Sequence, residues 1–302
     1  MNENVLMGPE DYEKMPKLRT FLTPKMREIL EKSRVLEDVN TSYNNKRRYK
    51  IGERSLPLKY LSKNHKALSE IIKLRPVFIT HGGVKVTLPD KINSDIAYLT
   101  GLICGDGNLT ITKKRDYWVT IHNKEIALLE KTLAILETNF NYKTDIKEGN
   151  KCQMVVVRSE VIHSFFHKIM EIESGRKENI KIPKKIKSDR KLIRAFIAGF
   201  FDAEGTVALK KNKITCQICL YQKQKSILDE IKSELEKDGI EMKFYYSNTN
   251  HRLYGNRKSL KPFYKKIKIF HPKKKKKLDT AIKNHALWMS GNSTKVSQPS
   301  LS

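Results

Sequence analysis

The chain has 302 residues, enough for one large domain or two ordinary ones, and its 39% hydrophobic content is enough for a core. Its 60 Lys and Arg against 33 Asp and Glu leave a formal charge of +27, which points to a polyanionic partner, nucleic acid first. No stretch approaches the ~20 apolar residues of a membrane-spanning helix, and no signal-peptide-like apolar segment opens the chain, so no membrane partner is expected.

Residues 1–86 read as a mainly helical N-terminal extension. Thr23-Pro24 suits the cap and first position of a helix running to about Ser33. Asn40 to Lys50 is polar and basic and reads as a loop, and Leu56–Ile72 reads as two short helices broken near Lys63-Asn64. Val77–Thr80 and Val84–Leu88 flank His81-Gly82-Gly83, a hairpin turn. The extension either packs on the main body or adds a DNA contact through Arg47, Arg48 and nearby lysines; packing is slightly favoured.

From here the chain contains one stretch twice. Residues 98–109 read Tyr-Leu-Thr-Gly-Leu-Ile-Cys-Gly-Asp-Gly-Asn-Leu, and residues 196–207 read Phe-Ile-Ala-Gly-Phe-Phe-Asp-Ala-Glu-Gly-Thr-Val. Upstream of each stands P-x-K-I-x-S-D, at Pro89–Asp95 and Pro183–Asp189. A Ser-Asp pair suits a helix start. Measured from that Ser to the final acid, the second helix should be one turn longer. Each helix is nearly all apolar and ends in a carboxylate followed by Gly107 or Gly205, a residue suited to a helix C-terminus. Gly101 and Gly199 each cost a helix about 1 kcal/mol relative to Ala. A repeated cost needs a packing reason, and two helices touching through these glycines supply one. Asp106 and Glu204 then meet at the base of the pair, where two carboxylates need a cation between them and hard oxygen ligands suit Mg²⁺. Chance acids on ordinary core helices would not bring matching flanks.

After each stretch the sequence alternates. Tyr117, Val119 and Ile121 oppose Trp118, Thr120 and His122; Cys216, Ile218 and Leu220 oppose Thr215, Gln217, Cys219 and Tyr221. Antiparallel sheets with one face on helices and one outward give this pattern. The outward sets carry donors, acceptors and aromatics suited to reading base edges. The strands end alike, in Asn123-Lys124 and Gln222-Lys223. Helices follow at Glu125–Leu136 and Ser226–Lys237, then strands at Asn141–Lys147 and Lys151–Val157 with helix Glu160–Glu171. In the second half come Met242–Ser247, Arg252–Tyr254 and helix Leu260–Lys268. A lysine run at Lys273–Lys277, a last helix at Leu278–Trp288 and a disordered Ser-rich tail from Ser290 complete the chain.

The two motifs resemble those of the LAGLIDADG homing endonucleases in their single-chain, two-motif form, over about 200 residues from Leu88 to near Trp288. Cys104 departs from the family pattern, where Asp is common; Glu204 keeps a carboxylate. The resemblance implies an α+β protein of two pseudo-symmetric αββαββα halves, 87–180 and 181–302, with saddle-shaped antiparallel sheets on DNA. It implies metal-dependent cleavage of both strands of a long asymmetric target with short 3′ overhangs, by a monomer using Mg²⁺ or Mn²⁺. Asp106 and Glu204, helped by the carbonyls of Gly105 and Ala203, would hold the metals. Asn123-Lys124 and Gln222-Lys223 match the polar and basic residues around the family's metal site, where lysine can offset charge developing in the transition state.

Two alternatives are weighed. A relative that binds DNA or intron RNA without cutting, as a splicing maturase or regulator, needs no acid pair. A protein-splicing element is not expected, given Met1 and the Leu301-Ser302 ending. Cys104, Cys152, Cys216 and Cys219 lack a second CxxC or His pair, and they read as free thiols of an intracellular, reducing compartment such as cytoplasm, nucleoid or organelle matrix.

Overall fold

The computed structural model describes residues 5–80, 83–209, 216–246 and 250–293, with side chains through residue 284 in the last segment. Residues 5–92 hold β1 (Val5–Leu6), α1 (Pro9–Glu13), β2 (Arg19–Thr20), α2 (Pro24–Ser33), α3 (Tyr43–Lys50), β3 (Leu56–Pro57), α4 (Leu58–Leu61), α5 (His65–Lys73), β4 (Val77–Ile79), β5 (Lys85–Thr87) and β6 (Lys91–Ile92). Thr23 caps α2 by accepting from the Met26 N–H, and Asn64 caps α5 at the expected break. Two expectations need correction. The mainly helical extension also contains a four-stranded sheet, ordered β3-β2-β4-β5, whose strands are too short for an alternating pattern to register. The expected loop at 40–50 is largely helix α3, capped by Ser42; it buries only Tyr49, so it shows no apolar period. The expected turn at His81-Gly82 lies outside the described residues.

Two of the contacts that tie this unit to the rest involve its first residues. Strand β1 pairs antiparallel with β6, just before the first repeated helix. The Asp11 carboxylate, fully buried, accepts from the Gly8 N–H at 3.1 Å and pairs with Lys185 Nζ at 2.8 Å in the connection between the two halves.

The first half runs α6 (Ser94–Asp106), β7 (Gly107–Ile111), β8 (Tyr117–Asn123), α7 (Ile126–Phe140), β9 (Ile146–Glu148), β10 (Gln153–Arg158) and α8 (Glu160–Ser164), which continues as a π turn at Phe165–Ile169. A single turn, α9 (Lys184–Lys187), follows. The second half is α10 (Arg190–Glu204), β11 (Gly205–Leu209), β12 (Cys216–Gln222), α11 (Lys225–Glu236), β13 (Lys243–Tyr246), β14 (His251–Gly255) and α12 (Arg257–Lys266), then α13 (Pro272–Ser293). The sheets have matching orders, β7-β8-β10-β9 and β11-β12-β14-β13. The αββαββα unit therefore occurs twice, as expected.

At the helix starts the halves part company. Asn93, not Ser94, caps α6 by accepting from the Ile96 N–H at 2.9 Å, while its amide donates to Asn139 of α7 at 2.8 Å. In the second half Ser188 ends the separate turn α9, and Asp189 caps α10 through the Lys191 and Leu192 N–H groups. The second helix is thus 15 residues against 13, two residues longer and not a full turn, because Ser188 and Asp189 serve as the C-cap of α9 and the N-cap of α10 instead of entering the helix. The last helix is also longer than expected. It begins at Pro272, a residue suited to a first helical position, so the lysine run lies within its opening turns. Ser290–Ser293, expected in a disordered tail, are helical, and residues 294–302 lie outside the described ones.

Helices α6 and α10 lie side by side through their glycines. A methyl on Gly101 would overlap the Phe196 carbonyl oxygen, and one on Gly199 would overlap the Tyr98 carbonyl oxygen. Each obstacle is backbone, which cannot swing aside. Around this contact Leu99, Leu102, Phe196 and Phe200 are fully buried. At roughly 1.5–3 kcal/mol per buried side chain of this size, the pair anchors the core of both halves.

Candidate active site

Both helices run into a strand without a loop. Gly107 and Gly205 are extended rather than left-handed, so their backbone shape does not require glycine. Space does. A Cβ on Gly107 would lie 2.7 Å from the Ile103 Cα, and one on Gly205 would lie 2.6 Å from the Phe201 ring. The carboxylates Asp106 and Glu204 therefore sit on the last helical residues of two adjoining helices. Gly105 places them close together: a Cβ there would lie 3.1 Å from Glu204 Cγ.

Burial raises the Asp106 carboxyl above the usual range, even though Lys274, Asn123, Lys177 and His122 all favour its charged form. Burial also raises Glu204, and the neighbouring Asp106 charge raises it further, against Lys177, Lys274 and Gln222. Both acids feel Lys177 and Lys274, but burial outweighs the lysines, and both stand at the negative ends of two helix dipoles.

The strand-end amides reach them. Asn123 Nδ2 donates to Asp106 Oδ2 at 2.7 Å, and the Gln222 side chain hydrogen-bonds Glu204. The registers explain why Asn123 follows Asp106 by 17 residues and Gln222 follows Glu204 by 18. Gly107 faces Ile121 and Gly205 faces Leu220, which makes the second hairpin one residue longer while its amide still falls two residues past the partner of the glycine. Lys124 and Lys223 are exposed beside these amides. Lys223 lines a cleft of about 460 Å³ together with Gly105, Lys177, Glu204 and Gln222.

Two lysines that the sequence reading did not single out lie deeper. Lys177 Nζ donates to the carbonyls of Ile103, Cys104 and Gly105 at 3.1, 2.7 and 3.0 Å. Lys274 Nζ donates to those of Phe201, Asp202 and Ala203 at 3.0, 2.6 and 3.4 Å. Each caps the open end of one repeated helix. Burial lowers Lys177 below the usual lysine range and brings Lys274 down to about 8, despite the nearby acids. A signal was present: Lys177 follows Asp106 by 71 residues, and Lys274 follows Glu204 by 70.

A divalent cation fits this donor set. The acids supply hard oxygens whose carboxyls burial keeps raised despite Lys177 and Lys274, the Gly105 and Ala203 carbonyls lie at the same helix ends, and Mg²⁺ is commonly held by one or two carboxylates with substrate phosphates. Among the described residues no cluster of three or more His, Cys, Asp or Glu offers a fully proteinaceous cage.

On the outward sheet faces, Trp118 and Thr120 are half-buried and His122 is exposed on β8; Gln217 is half-buried and Tyr221 is exposed on β12. Thr215 lies outside the described residues. Cys219 requires correction as a contact residue, because it is fully buried. Arg252 of β14 covers it, donating to Cys219 Sγ at 3.0 Å and Gln217 Oε1 at 3.2 Å between the rings of Tyr221 and Tyr254. Arg158 likewise lies 4.8 Å from the centre of the Trp118 ring. Neither arginine was singled out from the sequence. All four cysteines are unpaired.

The sequence profile of the LAGLIDADG-like domain matches residues 93–170 and again 191–268, just over half the chain. The chain is 26% identical over 247 residues to the reverse gyrase of Methanocaldococcus jannaschii, covering 79% of this chain and 14% of that protein. It is 27% identical over 192 residues to homing endonuclease I-DmoI of Desulfurococcus mucosus, covering 60% of this chain and 88% of that protein. The first three curated relatives are much longer proteins, of which the chain spans 14%, 13% and 15%. Among solved structures, homing endonuclease I-WcaI bound to its DNA recognition sequence superimposes with a TM-score of 0.48 at 17% identity, over 61% of this chain and 85% of that one. I-DmoI in complex with DNA and Mn gives 0.45 at 22% identity, over 58% and 96%.

Proposed function

The chain belongs to the LAGLIDADG-like family, and from that premise we propose that it is a DNA endonuclease, cutting both strands of a long asymmetric duplex with the help of divalent metal. The observation that carries this reading is the meeting of Asp106 and Glu204 at paired helix ends, each with its own amide and its own half-buried lysine. A protein that only binds nucleic acid has no use for two half-buried carboxylates that repel each other.

Each residue then has a task. Asp106 and Glu204, with the Gly105 and Ala203 carbonyls, hold the metal. Bound there, a divalent ion supplies Lewis-acid polarisation of the phosphoryl oxygen and eases deprotonation of the attacking water. Asn123 and Gln222 fix the carboxylate rotamers. Lys177 and Lys274 bring positive charge to where negative charge builds on the phosphoryl group. Lys124 and Lys223, exposed at the strand ends, meet the backbone phosphates on either side.

The two sheets lie along the major groove, presenting Trp118, Thr120, His122, Gln217 and Tyr221 to base edges, with Arg158 and Arg252 beside them. Arg158, 4.8 Å from the centre of the Trp118 ring, offers donors for guanine or phosphate, while Arg252 is partly committed to Gln217 and Cys219. Two unlike halves in one chain suit an asymmetric target read by a monomer.

Incubation with a randomised duplex library and Mg²⁺, followed by sequencing of the cut ends, tests the reading. The expected result is one enriched target with paired, offset breaks that require metal. Retention of DNA without any break, at any divalent ion tried, would leave a binding protein instead.

A further inference from the structure

We infer that Asp202 is a positioning residue for Lys274, and that it makes the second half's share of the site depend on a hydrogen-bond chain the first half lacks. The inference rests on the nuclease reading and deepens it.

Asp202 is 1% exposed and has no direct access to substrate. Its Oδ2 accepts from the Tyr98 hydroxyl of the other helix at 2.9 Å and from the Phe270 N–H at 2.7 Å, and the His271 N–H also faces the carboxylate. Its own backbone carbonyl accepts from Lys274 Nζ at 2.6 Å. One residue therefore holds both ends of the short path from Phe270 to the Lys274 ammonium. The first half reinforces the grip. The Tyr98 ring packs edge-on to Phe270 with centroids 5.1 Å apart, and Lys131 Nζ lies 3.9 Å from the centre of the Phe270 ring.

At the matching positions of the repeat stand Cys104 for Asp202 and Phe196 for Tyr98. Phenylalanine has no hydroxyl to donate, and a thiol is a weak acceptor. The segment carrying Lys177 is anchored by other means. Glu173 Oε2 accepts from the Glu178 and Asn179 N–H groups at 2.6 and 3.0 Å, and Gln224 Nε2 donates to the Lys177 carbonyl at 2.5 Å. The two lysines do equivalent work from non-equivalent supports, so one can be loosened without the other.

The test uses the full-length protein, a supercoiled plasmid carrying the cleaved target, and an end-labelled duplex that identifies the strand cut. Asp202→Ala should slow one strand by roughly five- to ten-fold, within the cost of losing Lys274 itself, since small misplacements of a catalytic group are felt in the rate. Nicked circle should accumulate while the other strand is cut at close to the wild-type rate. Asp202→Asn, which keeps an acceptor oxygen, should restore most of the lost rate, and Tyr98→Phe should slow the same strand by a smaller factor. Equal slowing of both strands, or an Asn variant as impaired as Ala, would overturn the inference. If Asp202→Ala does not fold, Tyr98→Phe decides: slowing confined to one strand supports the chain, and unchanged or evenly slowed cutting refutes it. A wild-type protein that cuts nothing removes the nuclease reading and this inference together, whereas normal wild-type cutting with no strand bias in the variants removes the inference alone.

Discussion

The two halves of the repeat keep the same backbone events and support them with different chemistry. In both, a glycine meets a carbonyl across the helix pair, a helix ends in an acid and passes directly into a strand, and a lysine closes the helix end. Around these constants little else matches. The first half braces its helix start with the neutral Asn93–Asn139 amide pair; the second uses Arg190 and Arg194 against Glu234 and Asp238, with Arg194 reaching Asp238 at 2.9 and 2.6 Å. Asp106 is held by an asparagine and Glu204 by a glutamine. What the repeat preserves is position, and side chains are free to change wherever another group can supply the same position.

This comparison can be broken or sharpened, starting with the largest effect. Asp106→Asn and Glu204→Gln should each lower cutting roughly a thousand-fold or more while sparing DNA retention in gel shifts, because each removes charge stabilisation at the reacting centre. Both acids are raised in the folded protein, so each favours folding while protonated and loses that contribution as pH rises through its folded value. At neutral pH the amide variants should therefore melt higher in metal-free buffer, by about 2 °C for each kcal/mol of relieved repulsion. A lower melting temperature would show that the acids are not crowded.

Next come the glycines. Gly101→Ala and Gly199→Ala should each destabilise by about 1–3 kcal/mol in urea unfolding, because the added methyl meets backbone. Symmetry of contact requires similar costs; a large inequality would mean that one side relaxes and the other does not.

Lys274 offers a smaller and more selective test. Its ammonium should be lost above pH about 8, giving kcat/KM a descending alkaline limb that Lys274→Met lacks, at a rate reduced by about ten-fold. Lys177→Met should lower the rate and keep the limb. The smallest effect concerns the helix starts. Burial works to raise Asp238, but Arg194, Arg190 and Lys266 outweigh it and leave the carboxyl below its ordinary value. The stability it lends is present above the unfolded carboxylate pKa and fades as pH falls through the lowered one. Hydrogen exchange at acid pH should therefore rise in α10 and α11 before it rises in α6 and α7, whose amide pair does not titrate.

Much of this arrangement was legible beforehand, and the omissions have physical causes. The glycines and acids could be read because a helix that accepts a costly residue twice, at one spacing, declares a contact. The amide–lysine pairs could be read because strands ending alike after nearly equal lengths must end at like places. Lys177 and Lys274 escaped because a chain with 60 basic residues gives any one lysine little weight, and only the 71- and 70-residue intervals mark them. Cys219 misled because alternation tells which side a residue faces and not what a strand 33 positions away lays over it. Helix α3 escaped because a helix that buries a single tyrosine has no stripe to read.

The joint at Asp106-Gly107, repeated at Glu204-Gly205, has no residue to spare. One amino acid inserted there would turn the carboxylate by about 100° around the helix axis. The same insertion would shift the following strand by one position and exchange its inner and outer sides. The turn at 112–116 is a surface connection of the kind that tolerates a change of length, whereas this peptide bond sets the helix before it against the strand after it.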